Sequence, residues 1–342
     1  MSNEIPEAVR DVAELEELLS RPNPRVVEMM KRLDGDLMVI GATGKVGPHV
    51  ARVALRAIKE AGVDKKVYVV ARSAMDKLES EGAIQCRCDL QDLDAVAKLP
   101  KVKNVVFLVG FKFGAEAAKS QTWAINALVP YHVARHFQGS RIVSYSTGCV
   151  YPVMHVMTGG ADETTTPEPV GEYAQSCLAR ERVFDHFAEA GKEEVLHFRL
   201  NYAVECRYGV LYDIATKVWS GAPVDVTTGY ANVLWQGDVA NETWMCMEHV
   251  SSPATIMNIT GPETFSVSWA AKEFGRLMGK EPVFSGEENG MAYLNNSAKA
   301  TGLFGYPTVS LTQVMALTAN WIMNGGPGLG KPTHFETQNG KY

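Results

Sequence analysis

The sequence has no long apolar segment and no concentration of basic residues. No stretch approaches the roughly 18 consecutive apolar residues that a membrane-spanning helix requires. Asp and Glu together number 39 against 33 Lys and Arg, for a formal net charge of -6, and no basic run is interleaved with aromatic residues. We therefore expect neither a membrane protein nor a protein that binds the phosphate backbone of nucleic acids.

Cysteine is scarce, and its positions show no regular spacing. The six cysteines are Cys86, Cys88, Cys149, Cys177, Cys206 and Cys246. Such scatter is typical of reduced thiols rather than of a disulfide framework. Cys86 and Cys88 form a C-x-C pair, but no second pair accompanies them, so we expect no metal site. The acidic first twenty residues contain no signal-peptide-like apolar run, and we expect a soluble, cytoplasmic protein.

Two short helices are predicted ahead of the main domain. Apolar residues recur at helical spacing between residues 7 and 33, and Pro22 and Pro24 divide this segment in two. We interpret residues 1–35 as an N-terminal helical extension that packs on the main domain or on a partner subunit. A local cap is the simpler of these interpretations.

From residue 36 onward, short apolar strands alternate with amphipathic helices. Strands are predicted at 36–42, 66–72, 83–90, 102–110, 140–147 and 193–200. This alternation is typical of a parallel sheet covered by helices on both faces. We therefore predict an α/β fold with a doubly wound parallel sheet over 36–200. A smaller, mainly helical substrate-binding part should follow over 201–324, interleaved with the first, and then an extended or disordered tail over 325–342.

A glycine-rich turn, "VIGATGKVG", lies between the first predicted strand and the helix that follows it. Gly41, Gly44 and Gly47 are spaced G-x-x-G-x-x-G. Glycine permits a tight turn and a close backbone approach to a pyrophosphate, whose charge the helix N-terminus favours. In this context the turn predicts a dinucleotide site of the Rossmann type, with a plain strand-to-helix turn as the alternative.

The end of the second predicted strand bears on the choice between NAD and NADP. A carboxylate there would hold the ribose hydroxyls of NAD, whereas an arginine suits the 2′-phosphate of NADP. The strand ends in "VVARSAMDK", which places Arg72 and Ser73 at its tip. The sequence therefore favours NADP over NAD, although Arg72 also fits a solvated charge. Asp89, in "CDLQD", would lie near the adenine.

As a set, these motifs resemble the extended short-chain dehydrogenase/reductase superfamily, in particular its NAD-dependent nucleotide-sugar epimerases and dehydratases. The resemblance runs from about Asp36 to Met323. It is carried by "GATGKVG", "CDLQD", "TWAINALVPYHVA", "RIVSYSTGCVYP", "PVGEYAQSCLARER", "FRLNYAVE", "GDVANETW" and "IMNITGPETFSVSWAAKEFGRLMGK". It implies hydride transfer between a substrate carbon and the nicotinamide ring, and a homodimer that forms through helices around 120–137 and 173–190.

The resemblance also implies roles for individual residues. Tyr173 matches the catalytic acid/base, and Thr147 matches the residue that hydrogen-bonds the reacting oxygen, with Ser146 as second candidate. Asn126 matches an asparagine that bends its helix inside the protein. Besides the glycines, Arg72 and Ser73, the implied cofactor contacts are Thr43, Lys45, Val46, Asp89, Leu90, Val109, Gly110, Tyr173 and Leu200.

The sequence departs from the family at Cys177, where a lysine is expected four residues after the tyrosine. That lysine holds the nicotinamide ribose and lowers the tyrosine pKa from about 10, and cysteine supplies no fixed positive charge. Three hypotheses follow. Lys112 or Arg180 replaces the cation, Cys177 itself acts as a thiolate or an acid, or the site is catalytically degenerate.

Substrate contacts are expected after the fifth and sixth predicted strands, from Tyr151, His155, Asn201 and Arg207. Arg207 would bind a sugar acid or a phosphate, because arginine holds both in a bidentate manner, and a surface salt bridge is the competing interpretation. We predict an NAD(P)-dependent enzyme that acts on a hydroxyl or carbonyl of a sugar, sugar acid or nucleotide-sugar by epimerisation, dehydration or reduction. The alternative is a degenerate nucleotide-binding sensor or scaffold protein.

Overall fold

The computed structural model describes residues 5–340, so residues 1–4 of the predicted extension and 341–342 of the predicted tail lie outside it. The helices are α1 (Val12–Leu18), α2 (Pro24–Arg32), α3 (Gly47–Ala61), α4 (Asp76–Ser80), α5 (Leu93–Ala97), α6 (Lys119–Trp123), α7 (Val129–His136), α8 (Gly171–Glu189), α9 (Val210–Ser220), α10 (Gln236–Met245), α11 (Val267–Met278), α12 (Ala298–Phe304) and α13 (Leu311–Met323). Within the described residues, no helix has the length and apolar character needed to cross a membrane.

The strands are β1 (Leu37–Ile40), β2 (Val67–Ala71), β3 (Ile84–Arg87), β4 (Asn104–Phe107), β5 (Arg141–Thr147), β6 (Met154–His155), β7 (Glu194–Leu200), β8 (Ala203–Val204), β9 (Val224–Asp225), β10 (Tyr230–Asn232), β11 (Leu234–Trp235), β12 (Thr255–Ile259), β13 (Thr264–Ser266), β14 (Phe284–Ser285) and β15 (Met291–Ala292). Seven of them form a parallel sheet in the order β12-β7-β5-β4-β1-β2-β3, and the others form two-stranded pairs. The predicted doubly wound parallel sheet is therefore confirmed.

The winding of the sheet reverses at its centre, where β1 pairs with β2 on one side and with β4 on the other. Doubly wound sheets bind their ligands at such a reversal, at the carboxyl ends of the strands. The loops that follow β1, β4, β5 and β7 all begin at that edge, so residues far apart in sequence meet there.

The two faces of the sheet bury different residues of the same strands, because side chains alternate along a strand. In β1, Leu37 and Val39 join the core formed with α2, α3 and α10, whereas Met38 and Ile40 join the core formed with α5, α7 and α8. All four residues are buried, as expected for a strand inside a parallel sheet.

The long helix predicted from residue 120 onward contains one irregular turn. Between α6 and α7, Ala124–Leu128 is π-helical, and the Val129 N–H bonds to the Ala124 carbonyl. Pro130 lies in the first turn of α7 and has no N–H, so the regular bond to the residue 126 carbonyl cannot form. The side-chain amide of Asn126, in the middle of this irregular turn, accepts from the Phe111 N–H at 2.8 Å and donates to the Phe111 carbonyl at 3.0 Å. These bonds position the loop after β4.

The N-terminal helices pack on their own chain and join two cores. Leu15, Leu18 and Leu19 belong to the C-terminal core built mainly by α9, α11 and α13, whereas the apolar residues of α2 belong to the core against the sheet. Between these cores, Glu16 contacts His49 at 3.2 Å, Arg52 at 2.6 Å and Arg207 at 2.8 Å. Burial alone would raise the pKa of Glu16, but the hydrogen bonds from His49 and Arg207 outweigh it and hold that pKa well below the usual range.

We expect Glu16→Gln to lower the free energy of unfolding by about 2–3 kcal/mol at pH 7, because the charge-assisted bonds to two nearly buried arginines are lost. A carboxylate whose folded pKa is lowered stabilises the fold above its unfolded pKa, and this contribution is lost as the pH falls. The deficit of the variant should therefore shrink below about pH 4.5. Urea unfolding of wild type and of the variant at several pH values measures this difference in the free energy of unfolding.

Glu14→Gln is the matched control on the same helix, because among the described residues Glu14 forms an ion pair only with Arg10, whose side chain is 82% exposed. Exposed i, i+4 pairs contribute at most about 0.5 kcal/mol. Equal effects of the two substitutions would contradict the role assigned to Glu16.

Candidate active site

Two of the three glycines in the loop after β1 are required by its geometry. Gly41 has a φ of +97°, which side chains disfavour, and a Cβ at Gly47 would lie 2.5 Å from the Gly41 carbonyl oxygen. The first turn of α3 therefore packs directly on the loop. No side chain of residues 5–340 caps this helix start, so its N–H groups remain available to an anion such as a pyrophosphate.

A cavity of about 470 Å³, the glycine-loop cavity, extends from this loop across the ends of β2, β3 and β4. The predicted cofactor contacts that line it are Gly41, Thr43, Gly44, Arg72, Asp89, Leu90, Val109 and Gly110. Ser73 does not line it and is exposed beyond Arg72, and Gly47 is buried beneath the loop. The glycine geometry, the uncapped helix start and the cavity together fit the adenosine and pyrophosphate parts of a dinucleotide.

A second cavity of about 260 Å³, the tyrosine cavity, adjoins the first, and Leu108 and Gly110 line both. It brings together ten of the predicted residues: Lys45, Val46, Gly110, Lys112, Ser146, Thr147, Tyr173, Arg180, Leu200 and Asn201. Tyr202 and Tyr208 also line it, and the structure adds Cys149 and, from the C-terminal tail, Thr333. Thr333 carries no sequence signal, because nothing in a Gly/Pro-rich polar tail indicates where it packs.

Tyr173, in the first turn of α8, meets Thr147, the last residue of β5, through a side-chain hydrogen bond. Burial raises the pKa of Tyr173 well above its usual value, and Arg180 and the bond with Thr147 oppose that rise. Ser146 is engaged elsewhere: its hydroxyl donates to Glu181 at 2.5 Å. Thr147 is therefore better placed than Ser146 to hold an oxygen beside Tyr173.

Arg180 holds a fixed position beneath Gly110. Its guanidinium donates to the Tyr145 carbonyl at 2.7 Å and to the Asn126 side chain at 3.0 Å. A Cβ added to Gly110 would lie 3.2 Å from the guanidinium, so glycine at this position allows the loop after β4 to pass over it. Arg180 lies about two helical turns after Tyr173, and its charge acts on that tyrosine.

Lys112 also lies near Tyr173, with its ammonium nitrogen 5.8 Å from the centre of the phenol ring. Burial lowers the pKa of Lys112. Both cations that the sequence offered as replacements for the missing lysine therefore lie at the site.

Cys177 lies behind the site, in a buried cluster with Val150, Tyr151 and Ala161. Burial raises the pKa of its thiol to about 11, against the opposing effects of Arg180 and of a hydrogen bond with Tyr173. Cys177 does not line the tyrosine cavity. A thiol of this pKa in this position is protonated at neutral pH, which argues against the thiolate hypothesis.

Three predicted substrate contacts lie away from both cavities. Tyr151 is fully buried and donates to the Asn258 side chain at 2.9 Å. His155 is exposed on β6, and its ring accepts from the Met157 N–H. Arg207 is held at 3.0 Å by Glu205 and at 2.8 Å by Glu16, so the ion-pair interpretation replaces the substrate interpretation, and the pair is buried rather than at the surface.

The family model described as "NAD dependent epimerase/dehydratase family" matches residues 37–212, just over half of the chain. No curated protein sequence matches the chain.

Several solved structures share the fold over most of the chain. One is a mutant UDP-glucuronic acid 4-epimerase from Bacillus cereus in complex with UDP-4-deoxy-4-fluoro-glucuronic acid and NAD, with 18% identity, a TM-score of 0.71 and 84% of this chain and 99% of that chain covered. Another is a UDP-glucose 4-epimerase from Thermotoga maritima with UDP-glucose, with 18% identity, a TM-score of 0.67 and coverage of 85% and 99%. A third is a UDP-glucose 4-epimerase from Thermus thermophilus in complex with NAD, with 18% identity, a TM-score of 0.66 and coverage of 83% and 98%. At these identities the likeness is one of fold.

Proposed function

The chain belongs to the NAD dependent epimerase/dehydratase family, and we propose that it is an enzyme that uses NAD to act on a hydroxyl or carbonyl of a sugar or sugar derivative. One observation carries this proposal. The side chains of Tyr173 and Thr147 hydrogen-bond to each other beside the Arg180 guanidinium, in a cavity that adjoins the glycine-loop cavity. A proton-transferring hydroxyl, an oxygen-binding hydroxyl and a fixed positive charge are the groups that such chemistry requires.

The glycine-loop cavity would hold the cofactor. The α3 N-terminus and the loop backbone at Gly41 and Gly44 would bind the pyrophosphate, and Asp89 and Arg72 would lie beside the adenosine. When bound, NAD would supply the acceptor and donor of the hydride and the positive charge of its oxidised ring.

Side chains of the tyrosine cavity would bind the reacting oxygen and transfer its proton. Thr147 would hold the substrate oxygen through its hydroxyl, and Tyr173 would take up and return the proton of that oxygen. Arg180 would favour the ionised form of Tyr173, because an opposite charge close by lowers the pKa of an acid. In this arrangement Arg180 supplies the positive charge that the family's lysine, replaced here by Cys177, would place near the tyrosine. Cys177 itself would only pack in the buried cluster around it.

Titrations of the purified protein with NADH and with NADPH test the cofactor assignment. We expect NADH to bind roughly tenfold more tightly, because the family is NAD-dependent and two of the similar solved structures are complexes with NAD. Arg72→Ala should change NADH binding by less than about threefold, since NADH has no 2′-phosphate for the arginine to bind. Mass spectrometry of the nucleotide released on denaturation should find NAD(H), near stoichiometric if the redox cycle is internal, as in an epimerase or dehydratase.

Tighter binding of NADPH, weakened by Arg72→Ala, would overturn the choice of NAD and favour the NADP that the sequence suggested. If neither nucleotide bound, the interpretation of the glycine-rich loop would be wrong. Binding without turnover of any sugar, in wild type and Tyr173→Phe alike, would favour the alternative of a sensor or scaffold.

We also propose that the enzyme is a cytoplasmic homodimer. The continuous helix from α6 to α7 exposes large apolar side chains at Trp123, Leu128 and Tyr131, and Leu128 is 60% exposed. A second copy of the chain would cover them. All six cysteines are free thiols, which agrees with a reducing compartment.

A further inference from the structure

Within residues 5–340, only two residues other than glycine have a left-handed backbone, and both are at the tyrosine cavity. Tyr202, which lines the cavity, has a φ of +50°, and His334, which follows the lining residue Thr333, has a φ of +54°. This conformation is unfavourable for a residue with a Cβ, and it persists only where the surrounding structure enforces it. Strained residues cluster at binding and catalytic sites, so these two segments are candidates for substrate contacts.

The strands on either side of Tyr202 enforce its conformation. The Asn201 N–H bonds to the Ile259 carbonyl at 2.9 Å, and the Leu234 N–H bonds to the Tyr202 carbonyl at 3.1 Å. β7 thus ends against β12, whereas β8 begins against β11, and only Asn201 and Tyr202 link the two strands. This change of partner strand holds Tyr202 at the carboxyl edge of the sheet, where a substrate should lie.

The side chain of Tyr202 has a packed ring and an unbonded hydroxyl. The ring packs against the C-terminal core, and Tyr202 as a whole is only partly buried. Burial raises the pKa of Tyr202 well above its usual value, and the Cys149 thiol, which lines the same cavity, adds to the rise. The hydroxyl makes no hydrogen bond with any of residues 5–340. A protonated phenol in this state can donate to, or accept from, a hydroxyl of a ligand.

Tyr208 adds a second aromatic side chain to the same wall. Its backbone pairs with that of Glu205 in a tight turn, and the Lys45 ammonium lies 3.6 Å from the centre of its ring. Its hydroxyl likewise has no hydrogen-bond partner in the described part of the chain. The segment after β7 therefore offers two aromatic rings and two phenol hydroxyls. Such a wall suits a sugar ring, which presents an apolar C–H face and a rim of hydroxyls.

The C-terminal arm, residues 325–340, supplies the part of the cavity wall that contains Thr333. The arm contains no helix or strand. Asp213 of α9 accepts from both the N–H and the hydroxyl of Thr333, at 2.8 and 2.5 Å. At the end of the arm, Gly340 lies against the backbone of Gly171 at the start of α8. The arm is therefore anchored at α9 and at α8, and it passes the tyrosine cavity between these two anchors.

The volume of the cavity is small. Sites that enclose a drug-sized ligand measure about 300–1,000 Å³, whereas the tyrosine cavity measures about 260 Å³ and lies where the nicotinamide must also fit. A monosaccharide fits this space better than a sugar that carries a nucleoside diphosphate.

We propose that Tyr202 binds the substrate and determines specificity: its ring packs on the face of a monosaccharide, and its hydroxyl bonds a hydroxyl of that sugar. The strained backbone holds the phenol in this position. This inference rests on the proposed function and names its substrate class, a sugar without a nucleoside diphosphate. It separates this chain from the solved structures above that contain UDP-sugars.

Calorimetry on the NAD-saturated protein tests the substrate class with D-glucose, D-galactose, D-glucuronate and UDP-glucose. We expect at least one of the three monosaccharides to bind. UDP-glucose should bind more weakly or not detectably, because its nucleotide has no room behind the C-terminal arm.

Variants of Tyr202 test the residue itself. Tyr202→Phe keeps the ring and should weaken binding of the monosaccharide roughly fivefold, the usual effect of one hydrogen bond between neutral groups. Tyr202→Ala also removes the ring and should weaken binding roughly 30-fold or more. NAD affinity should change less than about twofold in both variants. Tyr306→Phe is the matched control, since Tyr306 is 78% exposed and lies outside the cavity, and it should bind as wild type does.

A comparison of Tyr202→Gly with Tyr202→Ala tests the strained backbone. Glycine normally destabilises a folded chain relative to alanine, because it loses more conformational freedom on folding. At a φ of +50° the order should reverse, so Tyr202→Gly should unfold at a higher urea concentration than Tyr202→Ala. Neither variant has the ring, so the difference reports on the backbone. The normal order would contradict the strain that holds the phenol in place.

The remaining outcomes also decide the matter. The inference is overturned if UDP-glucose binds as tightly as the monosaccharides, if no monosaccharide binds, or if Tyr202→Phe and Tyr202→Ala bind the sugar as wild type does. In each of these cases retained NAD binding leaves the proposed function standing. Failure to bind NAD at all overturns the proposed function itself.

Discussion

Replacing Tyr173 with phenylalanine should lower kcat by about 10²- to 10⁴-fold at every pH, because the group that exchanges the proton is removed while the ring and its packing remain. NAD binding and the free energy of unfolding should change little, since phenylalanine keeps the buried ring. The measurement is steady-state turnover of a sugar substrate from pH 6 to pH 10, with bound NAD quantified in each preparation.

Tyr151→Phe is the matched control, since it also deletes a buried tyrosine hydroxyl from a residue that the sequence made a site candidate. The structure places Tyr151 outside both cavities, bonded to Asn258, so this variant should keep kcat within a few-fold. An equal loss in the two variants would contradict the placement of the proton-transferring group at Tyr173.

The same assay tests the cation that acts on Tyr173. Burial raises the pKa of Tyr173 and Arg180 opposes the rise, so Arg180→Met should move the pH at which activity appears upward. Arg180→Lys keeps the charge and should shift it less. An unshifted profile in Arg180→Met would leave Lys112 as the remaining candidate.

Arg199→Met should be the most destabilising of the substitutions considered, at about 3–5 kcal/mol near pH 8. Arg199 and Glu181 form a doubly hydrogen-bonded ion pair at 2.9 and 2.6 Å, and both side chains are only 1% exposed. Removal of the arginine leaves a buried carboxylate without its cation. Such a loss is a large fraction of the stability of an ordinary domain.

The pH dependence identifies the cause. Burial alone would raise the pKa of Glu181, but the hydrogen bond from Arg199 outweighs it and keeps that pKa below its usual value, so the pair stabilises wild type above about pH 4.5 and less as the pH falls. Without Arg199, the effect of burial on the pKa of Glu181 is no longer outweighed, and the pKa rises. Glu181 of the variant then takes up a proton when the protein folds. The deficit of Arg199→Met should therefore be larger at pH 8 than at pH 5, by urea unfolding followed with circular dichroism.

Two further variants frame this result. The double variant Arg199→Met with Glu181→Leu removes both charges and should recover much of the lost stability. Arg182 lies on α8 next to Glu181, and it is exposed and paired with Asp185. Arg182→Met should therefore lower the free energy of unfolding by less than about 1 kcal/mol. Similar costs for Arg182→Met and Arg199→Met would contradict the view that burial makes the inner pair important.

Much of the fold follows from local patterns. The apolar run Leu37–Ile40, within a chain where strands alternate with helices, indicates an interior parallel strand. The glycines after it indicate a tight strand-to-helix turn, because only glycine tolerates the φ of Gly41 and the contact at Gly47. The short helices α4 and α12 and the two-residue strand pairs were not predicted. Elements of this length depend on contacts with distant segments rather than on their own periodicity.

By itself the sequence determined which residue types stand at the strand ends: the glycine loop, Thr147, Tyr173 and the absence of a lysine at Cys177. The tertiary structure decided how those residues are used. In the folded chain Tyr151 is buried, and Arg207 forms ion pairs with Glu205 and Glu16. The Lys45 ammonium lies over the Tyr208 ring, and Thr333 of the C-terminal tail lines the tyrosine cavity. The physical reason is that a charged or polar side chain takes the partner that compensates its burial, and here those partners come from segments far away in the chain.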